Sequence, residues 1–171
     1  MCADVAQALE FLHSLTPPVI HRDVKSFNVL VTANVILKLT DFGESCVGAS
    51  NGCYKDTELR GTMCWLAPEL LEKIGSDEYV YTTAVDVYAL GIVFWEILTL
   101  QQPYAEMTFM DIKKGVRNGA RPLIPADTYS TFSELLQRCW EQDAQRRCTA
   151  KTAVAELQKM MHDAALTTQS C

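Results

Sequence analysis

The residues whose types and spacing allow chemistry lie close together near the start of the chain. Residues 21–28 read HRDVKSFN, and residues 41–43, thirteen positions after Asn28, read DFG. Asp23 can accept the proton of a hydroxyl group, and Lys25 is a point charge that can reach a phosphate. Asn28 and Asp41 offer the hard oxygen atoms that Mg²⁺ prefers. Together these residue types suit phosphoryl transfer, which needs an aligned hydroxyl and a neutralised phosphate.

A third tripeptide, APE at residues 67–69, follows after a long polar segment. A strand, a turn and a second strand with solvated charges are the simplest alternative, but that alternative explains none of the spacing. Short strands separate the first two motifs, and a long loop precedes the third. In this order and spacing, the sequence resembles the protein kinase family. The similarity covers nearly the whole chain, roughly from Ala3 to Met161.

The resemblance implies a role for each site residue, with ATP and Mg²⁺ as cofactors and a protein as substrate. By this resemblance Asp23 orients the substrate hydroxyl and Lys25 contacts the γ-phosphate. Asn28 and Asp41 are the implied Mg²⁺ ligands. Leu30 falls where kinases place the residue beneath the adenine. The implied catalytic set is therefore Asp23, Lys25 and Asn28, and the nucleotide-binding set is Lys25, Leu30 and Asp41.

Other residues match buried positions of kinases. Asp86 matches the helix residue that anchors the backbone of the catalytic loop, and Arg147 matches the partner of Glu69 in a buried ion pair. Surface charge is the simpler alternative for Asp86 and Arg147. His21 and Phe42 match two members of the apolar stack that runs through an active kinase.

Details of the motifs indicate a subclass. Lys25 after the catalytic Asp, and Gly61-Thr62 before Ala67, resemble serine/threonine kinases. Residues 62–67 and 86–96 resemble the tyrosine-kinase-like branch. A tyrosine-kinase-like enzyme that phosphorylates Ser or Thr in signal transduction fits both observations.

The loop between the DFG and APE motifs contains candidate phosphate acceptors, namely Ser45, Ser50, Tyr54 and Thr57. Arg22 is the expected counter-charge for such a phosphate, or for Glu58 acting as a resident carboxylate. For any single hydroxyl, it is an equal alternative that the residue belongs to an ordinary polar loop and is not phosphorylated.

Helices are the main elements that must position these residues. Apolar patterns predict helices at residues 4–14, 67–74, 82–100, 111–118, 132–140 and 149–161, and the third is apolar almost all round. Two β-like runs, 28–32 and 35–40, flank a turn at 33–34, and 41–61 reads as one long loop. The expected fold is mainly α. It is the C-terminal lobe of the α+β protein kinase fold, with a short β-hairpin carrying the catalytic and metal loops on a helical bundle.

We expect a partial kinase domain over residues 1–162 and a C-terminal tail over 163–171. Kinases also need a glycine-rich loop over the phosphates, a strand Lys and a helix Glu, all upstream of the catalytic loop in the family. The 171 residues contain no G-x-G-x-x-G pattern. We therefore expect the ATP-clamping lobe to be absent and this chain alone to be inactive. Two functions stay open: a Ser/Thr kinase whose sequence is incomplete here, or a non-catalytic, kinase-derived binding module.

Composition narrows the partners and the compartment. The formal net charge of −6 provides no basic surface for nucleic acid or for an anionic membrane. The first residues show no signal-peptide pattern, and the longest apolar run, 88–95, is too short to span a bilayer. We therefore expect a cytoplasmic protein without nucleic-acid partners or a membrane segment.

Seven cysteines could indicate a metal site or disulfides. Their number is odd, their spacing is scattered, and no pair has C-x-x-C spacing. Reduced and mostly buried thiols are the expected state. One of them, Cys148, stands where kinases of this type usually have a proline.

Overall fold

Helices dominate the computed structural model, which describes residues 1–49 and 51–169, with side chains described up to residue 166. The described helices are α1 (Cys2–Ser14), α2 (Pro68–Glu72), α3 (Thr83–Thr99), α4 (Phe109–Arg117), α5 (Ser130–Cys139) and α6 (Ala150–Gln169). Two short 3-10 turns, Ser26–Asn28 and Met63–Trp65, precede the strand Val29–Val31 and helix α2. The mainly α fold expected from the sequence is confirmed.

Helix α3 is the centre of the core, because it is apolar on almost every face. Every residue from Val85 to Trp95 is buried. The helix begins after Thr82, whose hydroxyl accepts a hydrogen bond from the amide of Ala84 (3.3 Å), and it ends at Leu100 in the left-handed conformation. Helices α1 and α5 pack against α3, and α6 packs against α1 and α5. A polar residue of α3 can therefore hold a loop from within the core.

The described strands form three two-stranded antiparallel ladders. They pair β1 (Val19–Ile20) with β4 (Cys46–Val47), β2 (Val29–Val31) with β3 (Leu37–Leu39), and β5 (Tyr54–Asp56) with β6 (Tyr79–Tyr81). The β2–β3 hairpin confirms the predicted one. The prediction of a single long loop over 41–61 was wrong, since β4 and β5 lie inside it. Strands of two or three residues are too short to show a two-residue periodicity.

The last helix is longer than the apolar pattern predicted. Helix α6 continues to Gln169 instead of ending at Met161, and it includes most of the predicted tail. Residues 161–166 are exposed, so no buried apolar stripe marked them as helical. The domain boundary at residue 162 stays a prediction, and Ser170 and Cys171 lie outside the described residues.

The described part of the chain contains no helix that is long and apolar enough to cross a membrane. Its six cysteines are free thiols, as expected, and Cys171 lies outside that part. Burial of these thiols is less complete than expected, because Cys46 and Cys139 are buried while the other four are partly exposed.

Candidate active site

The loop after β1 is held by a carboxylate from α3. Asp86 is buried, and its two oxygens accept hydrogen bonds from the backbone amides of His21 (2.8 Å) and Arg22 (2.9 Å). Arg22 has a φ of 68°, a left-handed conformation that is unfavourable for a residue with a Cβ. The bonds to Asp86 stabilise this conformation. The predicted anchoring by Asp86 is therefore confirmed, and a surface charge is excluded.

His21 joins this loop to the DFG segment. The amide of Asp23 donates to its Nδ1 (3.4 Å), so Nε2 carries the proton and donates to the carbonyl oxygen of Thr40 (3.0 Å). The buried ring also packs against Phe42, with 5.0 Å between ring centroids. The contact between His21 and Phe42 agrees with the stack that the resemblance implied.

Asp23 lies at the centre of a cluster of hydrogen-bond donors. Its Oδ1 accepts a bond from the hydroxyl of Thr62 (2.7 Å). Its Oδ2 accepts a bond from the side-chain amide of Asn28 (3.0 Å) and lies 2.6 Å from Nζ of Lys25. Lys25 also donates to the Thr62 hydroxyl oxygen (2.8 Å). Three of the four residues come from the HRDVKSFN run, and Thr62 comes from the segment before APE.

The charge state of Asp23 follows from this cluster. Burial by itself would raise the pKa of Asp23, whose exposed fraction is 9%. The hydrogen bonds from Lys25 and Thr62, the positive charge of Lys25 and the bond from Asn28 outweigh burial, so the pKa lies below its ordinary value. Asp23 is therefore ionised at neutral pH and can accept a proton.

Thr62 is a site residue that sequence reasoning missed. The chain can bring it close to Asp23 because Gly61 precedes it with a φ of 107°. A Cβ at Gly61 would lie 2.8 Å from the backbone oxygen of Arg22, so a larger residue would push the two segments apart. The Gly61-Thr62 pair, which resembles serine/threonine kinases, was the signal in the sequence that could have identified Thr62.

The β2–β3 hairpin brings Asn28 and Asp41 to the same end of the hairpin. Thr40 donates its amide (2.9 Å) and its hydroxyl (3.0 Å) to the carbonyl oxygen of Asn28, and Asp41 follows directly. The side-chain nitrogen of Asn28 donates to Asp23, which leaves its amide oxygen as the atom able to bind a cation. Asp41 is exposed, with a φ of 62°.

The two side-chain oxygens fit Mg²⁺ by their donor chemistry. Among the described residues, no group of three or more His, Cys, Asp or Glu side chains could enclose a metal ion. Mg²⁺ does not need such a group, because it keeps several waters and phosphate oxygens in its shell. Asn28, which contacts Asp23, and Asp41 provide two hard oxygens at the same end of the hairpin. Leu30 lies on β2 with 58% of its surface exposed, where a ligand can reach it.

Arg22 pairs with β5, in the segment between DFG and APE. Its Nη1 donates to Asp56 (2.7 Å), its Nε donates to the carbonyl oxygen of Glu44, and its guanidinium lies 5.0 Å from the Tyr54 ring centroid. Hydrogen bonds from the Glu58 amide and from Arg22 hold the pKa of Asp56 below its ordinary value. The resident carboxylate beside Arg22 is therefore Asp56.

The prediction that Glu58 is this carboxylate was wrong, because the Glu58 side chain pairs with Arg60 (2.5 Å). The candidate phosphate acceptors lie in different surroundings. Thr57 is exposed, Ser45 is half-buried and donates to the carbonyl oxygen of Phe42, and Ser50 lies outside the described residues.

Glu69 and Arg147 form the predicted ion pair. Nη1 and Nη2 of Arg147 lie 2.7 and 2.6 Å from the two carboxylate oxygens of Glu69. The Arg147 side chain is 0% exposed and that of Glu69 31%. Arg147 also donates to the carbonyl oxygens of Glu141 (2.8 Å) and Ala84 (3.1 Å). The pair connects α2 to the first turn of α3 and to the segment before α6.

Glu96 is a second residue that sequence reasoning missed. This α3 side chain accepts hydrogen bonds from the hydroxyl of Ser26 (2.7 Å) and from the indole nitrogen of Trp65 (2.9 Å), and burial raises its pKa. It links the two 3-10 turns that flank the site. A second acidic residue in a mainly apolar helix was the signal in the sequence.

Known proteins match this sequence over most of the chain. A family model described as protein tyrosine and serine/threonine kinase matches residues 1–157. A Dictyostelium discoideum protein named as a probable LIM domain-containing serine/threonine-protein kinase is 39% identical, covering 94% of this chain and 23% of that protein.

Two relatives from other organisms are similar to the same extent. An Arabidopsis thaliana serine/threonine-protein kinase is 37% identical, covering 92% of this chain and 26% of that protein. A protein of Acanthamoeba polyphaga mimivirus named as a serine/threonine-protein kinase/receptor is 34% identical, covering 94% of this chain and 9% of that protein. The chain thus spans between 9% and 26% of the length of these three relatives.

Proposed function

This chain belongs to the protein tyrosine and serine/threonine kinase family, and we propose that it is the catalytic-loop lobe of a protein serine/threonine kinase. The proposed reaction transfers the γ-phosphate of ATP to a Ser or Thr hydroxyl of a protein in signal transduction. The observation that carries the proposal is Asp23, an ionised carboxylate held by Lys25, Asn28 and Thr62. We propose residues 1–162 as the extent of this partial domain.

In the proposed mechanism Asp23 orients the substrate hydroxyl and accepts its proton as the oxygen attacks phosphorus. The Lys25 ammonium group contacts Asp23 and Thr62, and its three N–H donors allow it to bind the transferred phosphate as well. Asn28 and Asp41 are the residues that would hold Mg²⁺, which supplies positive charge to the phosphates when it is bound. Leu30 provides an apolar surface for the adenine.

Serine/threonine specificity is supported by two independent features. The names of the three relatives all state serine/threonine-protein kinase. In addition, Lys25 and Thr62, two positions at which the chain resembles serine/threonine kinases, contact each other at 2.8 Å. We propose the cytoplasm as the compartment, because the six described cysteines are free thiols, which is typical of reducing compartments.

Asp23→Asn tests this function in the whole protein that carries the chain. Asn keeps the shape but cannot accept the proton, so transfer of radiolabel from ATP to a generic protein substrate should fall by about 10²–10⁴-fold. The labelled product of the wild type should contain phosphoserine or phosphothreonine. Asp127→Asn, at an exposed carboxylate in the loop before α5, is the matched control and should keep full activity.

The alternative function is a non-catalytic binding module derived from a kinase. Its prediction differs, because a module that only docks partners loses nothing when Asp23 loses its charge. If the folded wild type transfers no phosphate, or if Asp23→Asn is as active as the wild type, the binding module replaces the kinase. Circular dichroism of both variants shows whether a lost activity reflects unfolding.

A further inference from the structure

Two cysteines that the proposed chemistry does not use lie side by side, and one of them directly follows Arg147 in the chain. The sulfur atoms of Cys139 and Cys148 are 3.5 Å apart. Cys139 is the last residue of α5, and Cys148 lies between Arg147 and the start of α6. The backbone amide of Cys148 donates to the carbonyl oxygen of Arg138 (3.2 Å), which holds the two segments together. This backbone hydrogen bond between the end of α5 and the segment before α6 keeps the two thiols next to each other.

The two thiols have unequal access and unequal acidity. Cys139 is 0% exposed, whereas Cys148 is partly exposed. Hydrogen bonding to Cys148, followed by burial, raises the pKa of Cys139. The hydrogen bond from Cys139 lowers the pKa of Cys148 despite partial burial, and the charge of Arg138 acts in the same direction. Cys148 is therefore the thiol that an oxidant meets first and in the more reactive form.

We propose that Cys139 and Cys148 form a reversible disulfide under mild oxidation by hydrogen peroxide. The Cys148 thiolate attacks one peroxide oxygen, the O–O bond breaks, and the products are Cys148 sulfenic acid and hydroxide, which becomes water on protonation. The Cys139 sulfur then attacks the Cys148 sulfur and loses its proton, and the hydroxyl group leaves as a second water. Two thiols are oxidised to one disulfide, and one peroxide is reduced to two waters.

The disulfide has a predictable effect on the neighbouring ion pair. A disulfide needs a sulfur–sulfur distance of about 2.05 Å, so the thiols must approach each other. Cys139 is fully buried at the end of α5, with its Cβ so close to Gly91 that a Cβ added there would lie 2.9 Å away, whereas Cys148 is partly exposed in the segment before α6. We therefore expect Cys148 and Arg147, its neighbour in the chain, to move more than Cys139 when the bond forms. Oxidation should therefore loosen the hold of Arg147 on Glu69.

Peptide mapping of the full chain tests the disulfide directly. The chain is treated with peroxide, its remaining thiols are alkylated in acid, and it is digested with trypsin without reduction. Trypsin separates residues 139–146 from 148–151, so the bond appears as one cross-linked pair of short peptides. We expect this pair to be the dominant cross-link and to disappear with dithiothreitol. Its absence, or equal amounts of cross-links to other cysteines, would overturn the proposal.

Two variants and a second measurement test the coupling to Arg147. Cys148→Ser should form no such cross-link, whereas Cys64→Ser, at another partly exposed thiol, should form it as the wild type does. Hydrogen exchange at residues 63–72 should become faster when the wild type is oxidised and stay unchanged in Cys148→Ser. A cross-linked wild type with unchanged exchange would refute the effect on Arg147.

Discussion

At the scale of single residues, the site depends on how one carboxylate is kept charged while it is shielded from water. Burial opposes ionisation of Asp23, and the donors on its two oxygens outweigh burial. Thr62 occupies one oxygen, and Lys25 and Asn28 share the other. Thr62 contacts both Asp23 and Lys25, so it holds the proposed base and the neighbouring cation together.

Thr62→Val removes the hydroxyl and keeps the volume of the side chain. A hydrogen bond to a charged group contributes about 1.5–3 kcal/mol, so kcat of the whole protein should fall by roughly 10- to 100-fold. Steady-state phosphoryl-transfer assays measure the change. Thr131→Val, at an exposed threonine of α5, is the control. Equal activity of the two variants would mean that Thr62 has no part in the site.

The pKa of Asp23 makes a separate prediction about pH. Because the folded-state pKa lies below the unfolded value, the stabilising contribution of Asp23 is complete above the unfolded pKa and is lost as pH falls through the folded pKa. Carbon-13 NMR of the Asp23 carboxyl should therefore show a midpoint below about 3.9, the ordinary value for Asp. Thr62→Val should raise that midpoint. A midpoint above the ordinary value in the wild type would contradict the lowered pKa.

At the scale of elements, two ion pairs add to the contacts that hold the segment from DFG to the end of APE. Arg22 of the catalytic loop binds Asp56 on β5, and Arg147 binds Glu69 on α2. Arg22 lies in the loop after β1, and Arg147 lies in the segment between α5 and α6. Each contact therefore holds the segment against a different part of the molecule. A carboxylate already lies beside Arg22 without any added phosphate.

Arg147→Ala should destabilise the fold by about 3 kcal/mol, the lower end expected for removing one partner of a buried pair, because the Glu69 side chain is 31% exposed. Glu69 loses its partner, and the carbonyl oxygens of Glu141 and Ala84 lose a donor. Urea denaturation of the chain measures the free energy of unfolding. Arg146→Ala changes an exposed arginine one position away and should cost less than about 0.5 kcal/mol. Similar losses in both variants would show that the ion pair does not stabilise the fold.

At the scale of the whole molecule, the β2–β3 hairpin presents apolar side chains to solvent around the site. Leu30, Val31, Val35 and Ile36 are each about half or more exposed. Contiguous exposed apolar residues of this kind mark surfaces that bind a ligand or another protein surface. In the proposed function this surface would form one side of an adenine pocket, and the 171 residues contain no G-x-G-x-x-G pattern to cover the phosphates.

The isolated 171-residue chain should therefore bind Mg-ATP weakly. With a Kd in the millimolar range, millimolar Mg-ATP stabilises the chain by only about 0.4 kcal/mol, which raises the melting temperature by about 1–2 °C. Thermal-shift titrations with and without Mg²⁺ measure this, and Asp41→Asn should abolish any Mg²⁺-dependent part. A shift of several degrees at micromolar ATP would contradict the one-sided pocket.

The sequence alone determined the helices with long apolar patterns and the order of the three motifs, because both are properties of neighbouring residues. It also indicated the hairpin, the anchoring by Asp86 and the pairing of Glu69 with Arg147. Helix α6 beyond Met161 and the short strands β4 and β5 were not predicted. An exposed helical turn carries no apolar period, and two or three residues cannot show one.

Only the tertiary structure decided which side chains meet across distant segments. Thr62 reaches Asp23 from 39 residues away, and Asp56, not Glu58, faces Arg22. Cys148 lies against Cys139 although their spacing fits no motif. These contacts depend on the path of loops that pass through left-handed residues such as Arg22 and Gly61, and on pairing between short strands. A shift of one residue in the register of these loops and strands would turn a different side chain toward the site. The residue types alone do not specify that register.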